Sequence, residues 1–282
     1  MSAHATVPLE PAKVLQRLAL GIEYHGNGFC GWQSQPSGCA VQDHLERALR
    51  LFVGSPLSVV CAGRTDTGVH GLAQVVHLDT EIDRDERAWV RGTNANLPPT
   101  IRVLWAKNVP MDFHARFSAR SRTYHYLLLN DPTASALMAG LAGWFHAPLD
   151  LGAMREAAKM LVGEHDFSAF RAAECQAKTP VKSLYEVDVA SLVVGGTNPQ
   201  RFIKFSFRGN AFLHHMIRNI VGSLIYVGAG RHSRDDFGTI FESRDRTRAA
   251  PTFAPDGLYL AAIEYDESFN LPVVAGRVPF FV

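Results

Sequence analysis

A short link between two apolar runs holds an aspartate, an arginine and three glycines in the sequence Cys61–Gly71 (CAGRTDTGVHG). Glycine allows backbone angles and close approaches that other residues resist, so this link could hold the Asp66 carboxylate in a cleft. Arg64 precedes Asp66 by two residues and could lie on the same side of an extended chain, where it would favour the charged carboxylate. A carboxylate held in this way can act as a nucleophile or in proton transfer. The alternative is a tight turn with a surface ion pair, which is common around Asp-Gly sequences.

Three other motifs do not support the chemistry that they suggest. Gly26–Gly31 fits G-x-G-x-x-G, but the next helix begins only near Val41, whereas dinucleotide binding requires the last glycine to open it. His214 and His215 are expected to point about 100° apart on a helix, one packed inward and the other toward the cleft, so no metal site is predicted. Cys61 has no identifiable histidine base, which argues against a thiol nucleophile.

The composition is that of a globular protein. The chain has 282 residues, 47% hydrophobic and 20% charged, which suits one large domain or two ordinary ones. We expect reduced thiols in a cytoplasmic protein, with neither a disulfide nor a zinc site, because no C-x-x-C pair occurs among the scattered cysteines Cys30, Cys39, Cys61 and Cys175. No apolar run is long enough to span a membrane, so no membrane partner is expected.

The charge distribution is uneven, although the formal net charge is only +1. Residues 189–234 contain six Lys and Arg residues and no Asp or Glu, and residues 113–130 contain three Arg residues and no acid. Such a segregated field can steer a polyanion. The alternative, which the sequence leaves equally open, is that these side chains form ordinary solvated faces.

Hydrophobic periodicity predicts the order β-α-β-β-α-β in the first half of the chain. The expected strands are Leu18–Tyr24, Leu57–Cys61, Leu72–Asp79 and Ile101–Lys107. The expected helices are Val41–Phe52, which Gly54 ends, and a short helix through Trp89 that Asp83 and Glu86 open as a capping box.

The same order is predicted in the second half. The expected strands are Thr123–Leu129, the hairpin Leu184–Val194 with Arg201–Arg208, and Leu258–Tyr265. The expected helices are one capped by Asp150, a long one over Ala211–Val227 and a shorter one near Asp235–Glu242.

Two halves of this order predict an α+β fold of two ferredoxin-like (β-α-β-β-α-β) arrangements, with mostly antiparallel sheets joined edge to edge around a central cleft near residues 108–116. We expect a disordered tail over residues 1–12 and an N-terminal half over residues 13–110 that carries Asp66. A C-terminal half is expected over residues 111–266, followed by a C-terminal tail over residues 267–282.

The segment Gly63–His70 (GRTDTGVH) resembles the signature of the TruA family of tRNA pseudouridine synthases. Further segments resemble blocks of the family in the family's order: Tyr24–Gly26 with Gly31–Gln33, Asn94–Pro98, Phe113–Ala119, Asp166–Arg171, Phe212–Asn219 and Gly257–Leu260. The resemblance covers about Leu18–Tyr265, and Thr67, where alanine is expected, is the one departure in the signature.

The resemblance implies the pseudouridine synthase fold, a pair of related α+β halves around a cleft. It implies isomerisation of uridine to pseudouridine at positions 38 to 40 in the anticodon stem-loop of tRNA. The family acts as homodimers without metal or organic cofactor, so the implied partners are tRNA and a second copy of the chain, in the cytoplasm.

The resemblance also implies roles for five residues. Asp66 matches the catalytic aspartate, and Arg218 matches the basic residue that pairs with it. Tyr124 matches the active-site tyrosine, and Leu258 matches the apolar residue that packs against the target base. Arg64 is expected to enter the space left by a flipped-out nucleotide or to hold a nearby phosphate.

The reaction breaks the N-glycosidic bond, turns the freed uracil and rejoins it through C5. An ionised Asp66 could attack the ribose, or it could stabilise cationic character at the anomeric carbon and take a proton, and the sequence leaves both routes open. The target base must leave the helical stack, and stacking on an aromatic ring offsets that cost.

Two functions from other classes compete with this one. The first is a non-catalytic RNA-binding module on the same paired fold, in which Asp66 is structural. The second is a nucleotide-binding oxidoreductase, which the failed glycine motif weakens.

Overall fold

The structure is a computed structural model that describes residues 14–194 and 200–272, without the side chains of residues 193, 194 and 200. Within those residues it has one ten-stranded sheet and five α-helices. The expected tail over residues 1–12 and the turn of the predicted hairpin, residues 195–199, lie outside the described residues, as do residues 273–282.

Strands and helices occur in both halves of the chain. The strands are β1 Gln16–Tyr24, β2 Val60–Cys61, β3 His70–Thr80, β4 Ile101–Val109, β5 Ser121–Asn130, β6 Gly143–Phe145, β7 Gly163–Asp166, β8 Val181–Val194, β9 Gln200–Gly209 and β10 Leu258–Glu264. The α-helices are α1 Val41–Val53, α2 Glu86–Asn94, α3 Leu151–Lys159, α4 Met216–Gly228 and α5 Arg234–Ser243. None of the helices in the described ranges is long and apolar enough to cross a membrane.

The strand order in the sheet is β4-β1-β3-β10-β5-β9-β8-β7, with β2 paired to β3 and β6 paired to β5. The first strands of the chain and the later ones meet where β10 runs parallel to β3, with Tyr259 opposite His70. Strand β10, the last strand within the described residues, thus lies beside the first residue of β3, which is where the Asp66 link ends.

Two large apolar clusters cover the sheet. One packs α1 and α2 against the β1, β3 and β4 strands and includes Leu45, Trp89 and Val103. The other packs α3, α4 and α5 against β5, β8, β9 and β10. Val69, which lies in the link Cys61–Gly71, belongs to this second cluster. The link is therefore anchored on the core built by later segments.

Most predicted elements are confirmed with shifted ends, and three need correction. The strand expected over Leu57–Cys61 is reduced to Val60–Cys61. Helix α2 begins at Glu86 with Asp85 as its N-cap, because the Asp85 side chain accepts the N–H of Ala88 at 2.7 Å. The predicted capping box of Asp83 is therefore wrong.

Helix α4 begins at Met216, five residues later than the predicted start at Ala211. The reason is His215, which has the left-handed angles φ 60° and ψ 2° and cannot continue a right-handed helix. The residues before it are therefore a turn, and the helical geometry assumed for His214 and His215 does not apply.

The cysteine prediction is also corrected, because Cys30 and Cys39 form a disulfide. The loop between β1 and α1 folds back on itself, so that the N–H of Cys30 donates to the carbonyl of Cys39 and the two Cα atoms lie 5.5 Å apart. That separation suits a disulfide, and the spacing in the sequence did not reveal it. Cys61 and Cys175 are free thiols.

Candidate active site

The Asp66 turn begins where β2 ends, and a buried glutamine fixes its first residue. Gln74, which is fully buried on β3, donates from Nε2 to the carbonyl of Gly63 at 2.6 Å. The same amide accepts the Gly63 N–H at 3.4 Å. A buried amide that meets both backbone groups of one residue leaves little freedom for the start of the turn.

The middle of the turn is held from the first half of the chain. The Tyr24 hydroxyl and Thr65 Oγ1 lie 2.8 Å apart, and the Trp32 N–H donates to the Thr65 carbonyl at 3.0 Å. The N–H of Val69 closes the turn on the Asp66 carbonyl at 3.2 Å. Gly68 has φ +81°, which favours glycine, so the glycine in the signature has a backbone reason.

His70 ties the end of the turn to two other segments. Its Nδ1 accepts the N–H of Gly26 at 3.0 Å, and its Nε2 lies 2.9 Å from the Gly140 carbonyl and 3.1 Å from the Asp256 carbonyl. Because carbonyls only accept, Nε2 carries the proton and the ring is neutral. Burial lowers the pKa of His70 to about 4, which agrees with a neutral ring. The ring also stacks on Tyr259, with centroids 4.6 Å apart.

Three nitrogen-bearing side chains of one segment converge on the Asp66 carboxylate. Arg218 Nη1 donates to Oδ2 at 3.0 Å. His215 Nε2 lies 3.4 Å from Oδ2, and His214 Nε2 lies 3.3 Å from Oδ1. The Asp66 side chain remains 21% exposed, so a ligand from solvent can reach it. Burial lowers the pKa of His215, and the negative charge of Asp66 acts in the opposite direction.

The prediction that one histidine packs inward and the other faces the cleft is therefore wrong. Both rings face the same carboxylate, and their centroids are 3.9 Å apart. The left-handed conformation of His215 explains this arrangement, since it removes the 100° rotation that a helix imposes between neighbours.

Arg218 is held on its other side by the segment that precedes β10. Its Nε donates to the Phe253 carbonyl at 2.9 Å, and its side chain is only 14% exposed. The next residue, Asn219, is fully buried and donates to the Phe170 carbonyl at 2.8 Å. These contacts orient the guanidinium before any substrate arrives, so that it can act on the carboxylate without rearrangement.

Tyr124 and Leu258 lie in the apolar cluster that also contains Val69. Tyr124 on β5 is 8% exposed, and Leu258 on β10 is 6% exposed, opposite Tyr126 in the strand register. Burial raises the pKa of Tyr124, so its phenol stays protonated at neutral pH. Tyr126 is fully buried in the same cluster, and its hydroxyl donates to the Ala254 carbonyl.

Arg64 does not pair with Asp66 in the part of the chain that the structure describes; the cation beside the carboxylate is Arg218, 152 residues further along the chain. The Arg64 side chain is exposed at the surface of the turn. The ion pair suggested by the two-residue spacing is thus not formed, whereas the long-range pair with Arg218 that the resemblance implied is present.

Asp66, His214 and His215 could hold a metal ion, because their ligand atoms lie within 4.8 Å of one another. Two imidazoles and a carboxylate suit Zn²⁺. Arg218 works against this use, since its positive charge lies 3.0 Å from Oδ2 and occupies that oxygen. The geometry therefore favours a carboxylate that acts beside the Arg218 guanidinium over one that binds a metal ion.

Two positioning residues were missed in the sequence. The signal for Gln74 was a polar side chain inside the apolar run Leu72–Leu78. Arg122 donates from Nη2 to the Ala62 carbonyl at 3.0 Å and from Nη1 to the Asn210 carbonyl at 2.8 Å. The only sequence signal for Arg122 was a basic residue close to Tyr124, and such residues are too common to indicate a positioning role.

Comparison with known proteins bears directly on this site. The profile of a family described as tRNA pseudouridine synthase matches residues 21–118 and 157–266. The chain belongs to this family. The resemblance to the TruA family is confirmed by curated relatives. The protein named tRNA pseudouridine synthase A from Paraburkholderia phymatum is 60% identical over 268 residues, which cover 94% of this chain and 97% of the relative.

A second relative agrees with this family assignment, whereas one solved structure is too dissimilar to add to it. The protein of the same name from Burkholderia multivorans is 58% identical over 265 residues, covering 94% of this chain and 96% of the relative. A crystal structure of the archaeal box H/ACA sRNP Nop10-Cbf5 complex aligns at 12% identity and a TM-score of 0.34, covering 82% of this chain and 59% of that one, which is too low to support a fold argument. The family match includes Arg64, Asp66, Arg218 and Leu258, whereas Tyr124 lies outside the matched ranges.

Proposed function

We propose that this chain isomerises uridine to pseudouridine at positions 38 to 40 in the anticodon stem-loop of tRNA, with Asp66 as the catalytic carboxylate. Membership of the family makes the chain an isomerase that acts on tRNA. The observation that carries the role of Asp66 is its ion pair with Arg218 at 3.0 Å, inside a turn whose backbone is fixed by buried side chains.

The surroundings of Asp66 suit a charged and reactive carboxylate. Arg218 stabilises the negative charge and fixes the direction of Oδ2, while the exposed fraction of the side chain leaves room for a ribose. The carboxylate can then act at the anomeric carbon, either by attack or by stabilising its cationic character and taking a proton. The histidines add hydrogen-bonding capacity at both oxygens.

A flipped-out uracil needs partners for its two faces and its edges. We propose Tyr124 as an aromatic partner and Leu258 as an apolar one, because both belong to the cluster directly beneath the turn. A protonated phenol can also donate a hydrogen bond to a uracil carbonyl. Arg64, exposed on the turn, is the proposed group that enters the gap in the RNA or holds a phosphate.

We also propose that the chain is built from two related halves. The strand order β10-β5-β9-β8 supports a ferredoxin-like second half over residues 111–266, and β4-β1-β3 with β2 supports a related first half over residues 13–110. Together the two halves would form the pseudouridine synthase fold, with the proposed site where they meet. We also propose a homodimer, to be measured by sedimentation, and a cytoplasmic location, where tRNA is modified.

The central experiment compares wild type with Asp66→Asn on an unmodified tRNA transcript labelled with tritium at C5 of uridine. The isosteric amide cannot act as a nucleophile or base, so we expect tritium release to fall by about 10³-fold or more while the Kd for tRNA stays within a few-fold. Substrate transcripts with uridine at only one of positions 38, 39 and 40 identify the target.

A non-catalytic RNA-binding module gives a different result. In that case wild type releases no tritium, and Asp66→Asn changes neither release nor affinity. Release from wild type that Asp66→Asn leaves intact would instead remove Asp66 from the chemistry.

A further inference from the structure

Phe117 is exposed to 76%, although it lies in a closely hydrogen-bonded turn between β4 and β5. A ring that stays in water contributes little to folding, because the hydrophobic effect depends on the apolar area removed from water. Core packing therefore does not explain an aromatic residue at this position.

Hydrogen bonds fix the backbone of the turn that carries the ring. His114 Nδ1 accepts the N–H groups of Arg116 at 3.1 Å and of Phe117 at 3.2 Å. The Ser118 N–H donates to the His114 carbonyl, and the Ser118 hydroxyl accepts the His114 N–H, both at 2.9 Å. Since the backbone is already ordered, a ligand that binds the ring has little conformational entropy to remove.

Two side chains flank the ring. The His114 imidazole lies with its centroid 4.3 Å from that of Phe117, at an interplanar angle of 32°. The Arg116 guanidinium carbon lies 5.6 Å from the centre of the Phe117 ring. The result is a supported aromatic ring with a cation beside it and most of its surface open to solvent.

This turn is physically connected to the Asp66 turn. Arg122 Nη2 donates to the Arg116 carbonyl at 2.6 Å and to the Ala62 carbonyl at 3.0 Å, so one guanidinium group spans both segments. Burial raises the pKa of the Cys61 thiol to about 11, and the charges of Arg64 and Arg116 act on it in the opposite direction. The Arg122 contacts place the Arg116 backbone beside Ala62, the residue that follows β2, and Arg64 lies only two residues further along the chain.

The two exposed arginines give this surface a positive charge. Among the residues that the structure describes, neither Arg64 nor Arg116 has a carboxylate within ion-pair distance. Exposed guanidinium groups near an exposed aromatic ring match the two parts of an RNA strand, since phosphates attract the cations and bases stack on the ring.

We infer that Phe117 and Arg116 form a subsite for the same RNA arm that presents the target uridine, in which an unpaired nucleobase stacks on Phe117 and an adjacent phosphate contacts Arg116. This inference rests on the proposed function and adds a second contact point outside the Asp66 turn. The stacking tolerates any base, because every base has a π-face. It fixes the position of the arm and takes no part in the chemistry.

A second copy of the chain is the competing occupant of this surface. A stable protein interface buries about 800 Å² on each partner and has an apolar centre depleted of charge. A single ring flanked by one arginine and a histidine lacks such a centre. The nucleobase is therefore the occupant that the chemistry of this surface favours.

The test measures the Kd and kcat of wild type, Phe117→Ala, Phe117→Leu and Phe117→Trp on the unmodified tRNA transcript. We expect Ala and Leu each to raise Kd about 10-fold, because both remove the π-face, and Trp to preserve wild-type affinity. At saturating tRNA, kcat should stay the same for all four proteins. Leu51→Ala is the matched control, since Leu51 is a 63% exposed apolar residue on α1, and it should leave Kd unchanged.

Several outcomes would overturn the inference. An unchanged Kd in Phe117→Ala removes the subsite, and full affinity in Phe117→Leu shows that apolar area rather than a π-face is needed. A fall in sedimenting mass in Phe117→Ala assigns the ring to a protein interface. If wild type releases no tritium from labelled tRNA, the proposed function fails; weaker tRNA binding by Phe117→Ala would still support the subsite in that case.

Discussion

Asp66 lies at the meeting point of groups that are far apart in the sequence. Arg218 donates to one carboxylate oxygen from the first turn of α4, and His214 and His215 approach from the residues just before that helix. On its other side, Arg218 donates from Nε to the Phe253 carbonyl, and this bond fixes the orientation of the guanidinium. A charged group held from two sides is the arrangement that electrostatic catalysis requires.

We expect Arg218→Lys to lower kcat by about 10²–10³-fold, because a lysine ammonium cannot contact the Phe253 carbonyl and Asp66 in the same fixed geometry. The measurement is single-turnover tritium release, with the Kd for tRNA determined in parallel. Arg171→Lys is the matched control, since Arg171 also donates to two carbonyls, those of Cys175 and Ala177, but does not contact Asp66. Wild-type kcat in Arg218→Lys would contradict the role of this ion pair.

Among the elements, β3 contributes most to the site, because it begins immediately after the Asp66 turn and carries the buried polar side chains that hold it. Gln74 binds the start of the turn and His70 its end. Beside β3, β10 brings Tyr259 against His70. Polar groups in these positions stabilise one conformation only while each keeps its hydrogen-bond partner.

The lowered pKa of His70 predicts a loss of folding stability in mild acid. Its pKa is about 4 in the folded chain and about 6.5 in an unfolded one, so the unfolded chain binds more protons between these values. The free energy of unfolding should therefore fall as pH drops from about 6.5 to about 4, with His70 contributing on the order of 1–3 kcal/mol. Protonation of Nδ1 would also break its bond from the Gly26 N–H.

Urea unfolding at several pH values tests this prediction in wild type and His70→Gln. The variant should be less stable at pH 7 and should lose less stability on acidification than wild type. His77 and His125 also have pKa values lowered to about 4 by burial, so some acid sensitivity should remain in the variant. Identical pH dependence in both proteins would contradict the assignment to His70.

At the scale of the whole molecule, the fold neutralises part of the positive charge that is concentrated along the sequence. Three of the basic residues counted in the acid-free segments are paired with carboxylates from elsewhere: Arg208 with Glu264, Arg218 with Asp66 and Arg120 with Asp266. The positive field is therefore smaller than the sequence windows suggest. The cations that stay available for a polyanion include Arg64 and Arg116, close to the proposed site.

This distribution predicts a strong but not extreme salt dependence of tRNA binding. Because each phosphate contact releases counterions, log K should fall linearly with log salt, measured by filter binding over a range of KCl concentrations. Arg64→Gln should reduce the slope by about 1, as expected for the loss of one phosphate contact. Arg50→Gln, on the exposed face of α1, is the control and should leave the slope unchanged. A slope near zero in wild type would contradict the electrostatic part of the proposal.

The sequence by itself determined the order of most elements and the family. Periodic apolar residues place α1 at Val41–Val53 and β3 over the run around Leu72–Leu78, because burial of one face is a local property of the pattern. The glycine at position 68 is needed for a local backbone angle, so it too can be interpreted without tertiary information. Asp66 stands out because of the glycines on either side of it and the family signature that Gly63–His70 resembles, both of which lie within a few residues.

The tertiary structure decided how the side chains around Asp66 are arranged. The spacing favoured Arg64 as the partner and the family resemblance implied Arg218, and the fold brings Arg218 to the carboxylate across 152 residues. The histidine pair, the Cys30–Cys39 disulfide and the contacts of Gln74 all depend on how the chain turns back on itself. A sequence pattern reports burial and local angles, but it does not report which distant backbone will lie within hydrogen-bonding distance.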